Sequence, residues 1–228
     1  MKLCRKAEEN LNIALEIPRV NEANTIRIDM PIGNYVDYKV TPTCGMVDEN
    51  GSLDVEDEPR CFYNPSRTQA KLLWFGAGYV EYRFPNTALV GKEVKEVRFS
   101  AEICSEDHDY NMDYPSDITL WINGMDAGTF ACPGDFGGRR GKLNPGWWPD
   151  VRSQYGNLKT WSLNKKGTFL DRMQTSRRKL SEYRLDQGEF ISVRFGNSED
   201  AVHIGGMNLF GDCFGDHPQN IVMEVEFI

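Results

Sequence analysis

Several familiar sources of function are missing from this sequence. No apolar run comes near the ~20 residues that a membrane-spanning helix needs, so no membrane partner is expected. Histidine is scarce, with only three in 228 residues, and His108, His203 and His217 fit no zinc-ligand spacing. The six cysteines, Cys4, Cys44, Cys61, Cys104, Cys132 and Cys213, are scattered and form no Cys-x-x-Cys pair. That argues against a zinc ribbon or a thioredoxin-type site. An even number leaves disulfides open. The first ten residues have no apolar core, so no secretory signal is read, and the expectation is a cytoplasmic protein with reduced thiols. There is no Gly-x-Ser-x-Gly elbow, no P-loop ending and no cysteine in a nucleophile setting. Carboxylates abound, so a glycosidase pair stays open, but nothing singles one out. Asp107–Asp113 is oxygen-rich without calcium-loop spacing and reads as a solvated loop. The expectation is a non-enzyme with no cofactor and no metal ion.

Helical periodicity is also weak. Leu3–Glu16 reads as a short amphipathic helix, while Asn12–Ile17 within it reads equally well as a strand. Arg177–Asp186 allows a turn of helix. No strand–helix–strand alternation and no 20–50-residue repeat are present, which disfavours a parallel α/β sheet and a solenoid. Period-two alternation does recur, at Thr25–Met30, Val94–Ile103, Asp117–Ile122, Phe190–Phe195 and Ile221–Phe227. In the clearest case Val97, Phe99, Ala101 and Ile103 share one face, and Glu96, Arg98, Ser100 and Glu102 the other. With 40% apolar residues the chain can bury a sizeable core. The predicted fold is all-β: an antiparallel two-sheet β-sandwich of jelly-roll type with long loops and little helix. It occupies residues 23–228, after an N-terminal segment 1–22.

The net charge of −8 argues against a whole-surface nucleic-acid binder. Yet residues 139–194 hold 13 Lys/Arg against 5 Asp/Glu, a local balance of +8. This basic stretch opens inside a glycine-rich loop. Seven of the 21 glycines fall between Gly124 and Gly146, followed by Trp147-Trp148. Loops this long are functional or disordered, and paired tryptophans do not belong to disordered chain. Four of the five tryptophans lie between 121 and 161. Trp121 points away from Ile118, Leu120 and Ile122 on its strand. Flat aromatic faces stack on sugars, bases and cations, or else plug the end of a sandwich. Asp135, Arg139 and Arg140 share the loop; guanidinium beside carboxylate can hold paired hydroxyls or an acidic group, or the residues simply pair to pin the loop. His203, in a short apolar run before Gly205-Gly206, completes the candidate ligand-binding set of Asp135, Arg139, Arg140, Trp147, Trp148, Trp121 and His203.

Five stretches carry a resemblance: NTIRIDMPIGNYVDYKVTPTCGM (24–46), LLWFGAGYVEYRFPN (72–86), SDITLWINGMDAGTFACPGDFGGRRGKLNPGWWP (116–149), QYGNLKTWSLN (154–164) and DAVHIGGMNLFGDCFGDHPQNIVM (200–223). Together they resemble the C-terminal domain of bacterial transcriptional regulators that carry an ArsR-type winged helix at the N-terminus. The Leu-Trp-Ile-Asn-Gly core also resembles galactose-binding-like jelly rolls attached to sugar-active enzymes. This chain has no winged helix. The resemblance therefore implies an effector-sensing or assembly domain that contacts DNA only through a winged-helix domain not present in this chain. A small-molecule effector, sugar-like in character, and a homodimer reading paired half-sites are the implied partners. The alternative is a free-standing carbohydrate-binding module, and the second alternative a glycan-active hydrolase or esterase.

Overall fold

A computed structural model describes residues 24–228. The expected segment 1–22, the Leu3–Glu16 helix or strand, and Cys4 lie outside the described residues. Among the described residues there are twelve strands: β1 (Thr25–Met30), β2 (Asp37–Val47), β3 (Leu72–Pro85), β4 (Val94–Cys104), β5 (Ser116–Ile122), β6 (Met125–Cys132), β7 (Asn157–Asn164), β8 (Gly167–Leu170), β9 (Met173–Ser176), β10 (Phe190–Gly196), β11 (Met207–Phe210) and β12 (Ile221–Phe227). Helix among these residues is confined to short 3-10 turns, including Leu180–Tyr183 inside the segment expected to form one.

Every ladder is antiparallel. One layer runs β6-β5-β10-β3-β2 and the other β9-β8-β7-β4-β12-β1. The short strand β11 pairs with both β3 and β4, so the two layers of the sandwich join at one end into a continuous 12-stranded sheet. The opposite edges also meet. The Trp161 indole N–H donates to the Gly128 carbonyl at 3.0 Å, and the Thr175 hydroxyl to that of Ala127 at 3.1 Å.

The core lies between the layers. Trp161 of β7 meets Phe195 of β10 edge to face, with centroids 5.8 Å apart, and Phe84 of β3 meets Phe99 of β4 at 5.6 Å. Strand β4 follows its alternation, burying Val97, Phe99, Ala101 and Ile103. Glu102 departs from it. Expected on the outer face, it is fully buried, because its carboxylate accepts from the backbone N–H groups of Gly156 (2.8 Å), Asp216 (2.9 Å) and His217 (2.8 Å). Three oriented amides compensate a carboxylate withdrawn from water, so this acid clamps two loops to β4.

Strand β3 positions the remaining features. It pairs with β11 through Leu72–Phe75 and with β10 through Tyr79–Pro85. Between them Ala77 and Gly78 pair with β2, and Gly76 lies opposite the irregularity between Thr41 and Cys44. On the β10 side the chain leaves the sheet as the loop 197–206, after the Asn197 N–H donates to the Gly78 carbonyl at 2.8 Å. At Gly78, with φ +113°, a Cβ would stand 1.7 Å from the Lys39 carbonyl oxygen, so glycine alone permits this backbone approach.

Candidate functional site

The glycine- and tryptophan-rich loop is ordered as expected, but its residues turn inward. Asp135 is fully buried. Its carboxylate accepts from the Ser153 hydroxyl (2.8 Å) and the Asp107 N–H (3.2 Å), with the Cys104 thiol at 3.6 Å. Burial outweighs these bonds and pushes its carboxyl up to about 7 from 3.8. The expected grouping of Asp135 with the two arginines is not formed, because each guanidinium has a nearer partner. Arg139 pairs with Asp216 (Nη1–Oδ1 3.0 Å) and lies 3.6 Å over the Tyr155 ring. Arg140 donates to the carbonyls of Trp148 (3.0 Å) and Pro145 and pairs with Asp150 (2.6 Å). Both arginines thus pin the loop.

Trp148 is 5% exposed: its indole N–H donates to the Ser153 carbonyl (2.8 Å), and its ring meets Phe214 edge to face and Trp74 at 6.1 Å. Here the plugging role holds. Trp147, 40% exposed, donates to the Glu49 carbonyl at 2.6 Å and keeps part of its ring in water. Trp121 stands half-buried on the outer face of β5, in register with Arg194 of β10. His203 is exposed; its backbone N–H donates to the Asp117 carboxylate (3.1 Å), and its ring Nδ1 lies 3.6 Å from the same oxygen.

Beneath Trp148 the structure assembles a polar cluster that no motif announced. Glu106 accepts from the Thr43 hydroxyl and the Asn208 amide, both at 2.7 Å. Asn208 also reaches Ser153, and Ser153 reaches Asp135. Burial, with the charge of Asp135 adding to it, holds the Glu106 carboxyl well above the usual carboxylate range. Trp74, Trp148, His108 and Arg152 close over this cluster, leaving a crevice of only about 10 Å³, enough for one water. Asn208 and Ser153 hold the two carboxyls in one hydrogen-bonded cluster, and this crevice has no room for a sugar ring.

A larger hollow, about 340 Å³, lies on the outer face where β3 loses its neighbour. That is the scale of a small-molecule site. Its walls are Lys39 and Thr41 of β2, Ala77–Tyr79 of β3, and Asn197, Ser198, Glu199 and Ile204 of the loop after β10. The Arg194 guanidinium lies 3.9 Å over the Tyr79 ring and pairs with Glu81. Trp121, Arg194 and Tyr79 therefore form a strip along the outer face that ends at this groove. Asn197 is fixed by donating to the Ser116 hydroxyl (2.9 Å) and the Asp117 carbonyl (3.0 Å), while its side-chain oxygen is buried without a partner. Of the seven sequence candidates, Trp121 lies on this strip and His203 belongs to the same loop as Ile204. The other five lie around the loop and polar cluster just described. No sequence signal marks Lys39, Tyr79 or Glu199, because the hollow arises from a gap in strand pairing.

No family model and no curated protein matches the chain, so the resemblance to ArsR-type regulators gains no support there. Among solved structures, a carbohydrate-binding module CBM36 in complex with calcium and xylotriose is 10% identical, with a TM-score of 0.35, over 88% of this chain and 99% of that one. The CBM36-1 domain of a multidomain xylanase from the hindgut metagenome of Trinervitermes trinervoides is 8% identical, with a TM-score of 0.36, over 90% and 98%. The C-terminal CBM6 of LamC, a marine laminarinase from Zobellia galactanivorans, is 11% identical, with a TM-score of 0.35, over 89% and 100%. Scores at this level carry no argument about the chain's ligand.

Proposed function

We propose that the chain is a recognition domain, not a catalyst, for a small sugar-like molecule, and that the groove beside β3 is its site. The observation that carries this reading is the groove's composition. Small residues and backbone at Ala77 and Gly78, with Tyr79 and Ile204, offer a flat apolar surface, while Lys39, Thr41, Ser198 and Glu199 offer donors and acceptors around it. Sugars have that same division, with C–H faces and hydroxyl edges, and few ligand classes need both within so small a hollow. The test is calorimetric titration with a monosaccharide panel. Tyr79→Ala and Ile204→Ser are expected to weaken any sugar that binds by about tenfold or more, and Trp147→Ala to leave it unchanged. Sugar binding indifferent to both groove substitutions would overturn the assignment.

A second reading makes this domain the sensing part of a transcriptional regulator. Three of the stretches that resemble ArsR-type regulators converge on the groove: 24–46 supplies Lys39 and Thr41, 72–86 supplies Ala77, Gly78 and Tyr79, and 200–223 supplies Ile204. On this reading ligand binding favours one state of the regulator, and a coupling of about 1–3 kcal/mol changes operator affinity roughly 5- to 150-fold. Operator binding by this domain fused to a winged helix, measured with and without the bound sugar, separates the sensor from a free-standing module.

A further inference from the structure

The groove carries one cation and one anion, and they face each other. Lys39 on β2 and Glu199 on the loop after β10 both line it, and the Lys39 ammonium lies 3.0 Å from the Glu199 carboxylate. The pair spans the two walls. Both side chains stand largely in water, 69% and 92% exposed, so solvent and salt weaken their attraction. Glu199 neighbours Ser198, whose hydroxyl bonds Asp200, and Val202 is 84% exposed. The tip of this loop is thus weakly anchored, while its two ends are held firmly, at Asn197 by Gly78, Ser116 and Asp117, and at His203 by Asp117.

We infer that the ligand is an acidic sugar, a polyhydroxylated ring bearing one carboxylate, and that Glu199 is a built-in stand-in for that carboxylate, held on Lys39 until the ligand displaces it. This inference rests on the sugar-binding reading above. The charge balance favours it. A ligand with one carboxylate replaces Glu199 on Lys39 one for one, and Glu199 moves into water where it is already mostly solvated. A neutral sugar recovers no charge–charge contact if it breaks the pair. The Tyr79 hydroxyl is already engaged with Asp37 at 3.0 Å, and Lys39 is the one cationic residue among those lining the hollow.

The sign of one substitution decides the matter. Calorimetry or ligand-observed NMR at low salt is run with glucuronate and galacturonate, and with glucose and galactose as neutral counterparts. For the wild type the uronates are expected to bind up to about fivefold tighter than the neutral sugars, the worth of one exposed ion pair. Glu199→Gln removes the competitor and is expected to tighten uronate binding several-fold; Lys39→Met is expected to abolish the uronate preference and Lys39→Arg to keep it. Both sites are at the surface, and circular dichroism verifies that the variants fold. If Glu199→Gln weakens all four sugars, Glu199 is a hydroxyl acceptor: the acidic-ligand inference falls while sugar recognition stands. If none of the four binds the wild type, this inference and the sugar-binding reading fall together.

Discussion

The buried carboxyl of Asp135 makes a quantitative demand on the pH dependence of stability. Its ordinary value is 3.8 and its folded value about 7. A carboxyl raised on folding keeps its proton in the native state after the unfolded chain has released it. Between about pH 4 and 7 the native protein therefore binds more protons, and stability falls as pH rises through that window. The contribution is fully present below the unfolded value and gone above the folded one. At about 1.4 kcal/mol per unit the whole span is roughly 4 kcal/mol, of which about 2.5 kcal/mol lies between pH 5 and pH 8. Asp135→Asn removes the titration while keeping the shape. Its amide meets groups that now donate to the carboxylate, Ser153, the Asp107 N–H and Cys104, which adds a cost independent of pH. Glu106, raised chiefly by burial, titrates in both proteins, and its shift is smaller in Asp135→Asn because the charge of Asp135 also raises it. Urea unfolding of both proteins at half-unit steps from pH 5 to 8 measures the difference. Relative to Asp135→Asn, the wild type should lose about 2.5 kcal/mol across that range. A difference that stays flat refutes the account, because it means that Asp135 is solvated or paired in a way the buried geometry excludes.

The paired tryptophans should separate cleanly. Trp148→Ala empties a site walled by Trp74 and Phe214 and is expected to cost about 3–5 kcal/mol, whereas Trp147→Ala at the surface should cost about 1 kcal/mol or less, both read from denaturant midpoints. At Gly215, with φ +76°, an added Cβ would stand 2.4 Å from the Glu102 carboxylate, so Gly215→Ala should loosen the loop clamp and lower Tm by several degrees, while Gly146→Ala, with no atom within 4 Å, should not.

Strands whose two faces differ were legible in the sequence. Thr25–Met30 and Ile221–Phe227 emerge with their expected bounds, and they pair with each other. The all-β class and the long ordered loop follow from the same alternation and turn residues. Strand β3 was opaque because it changes partners along its length; Leu72–Phe75 is buried throughout, so no period of two appears, and Gly76–Gly78 reads as a break. The site was less legible for a related reason. Asp135, Arg139 and Arg140 are adjacent in sequence and chemically complementary, yet Asp216, Asp150 and Ser153 compete for them from elsewhere in the fold. Residue chemistry identifies what could bind, but long-range packing decides which groups are already satisfied. Glu102 illustrates the converse, a residue patterned for solvent that three distant amides draw inward.

The basic segment 139–194 gains a structural meaning from the same competition. Arg139, Arg152 and Arg194 pair with Asp216, Glu56 and Glu81, all outside the segment, while Arg140 and Lys159 pair with Asp150 and Asp171 within it. Three charges of the local +8 are thus offset by acids in the remainder of the chain. Arg194 shows what this can do for a site. Its guanidinium is held by Glu81 and laid over the Tyr79 ring, so a residue belonging to the charge asymmetry orders the aromatic wall of the groove. Part of the basic segment therefore serves to join it to the acidic remainder, and Lys39, from that acidic remainder, is the cation that faces the hollow.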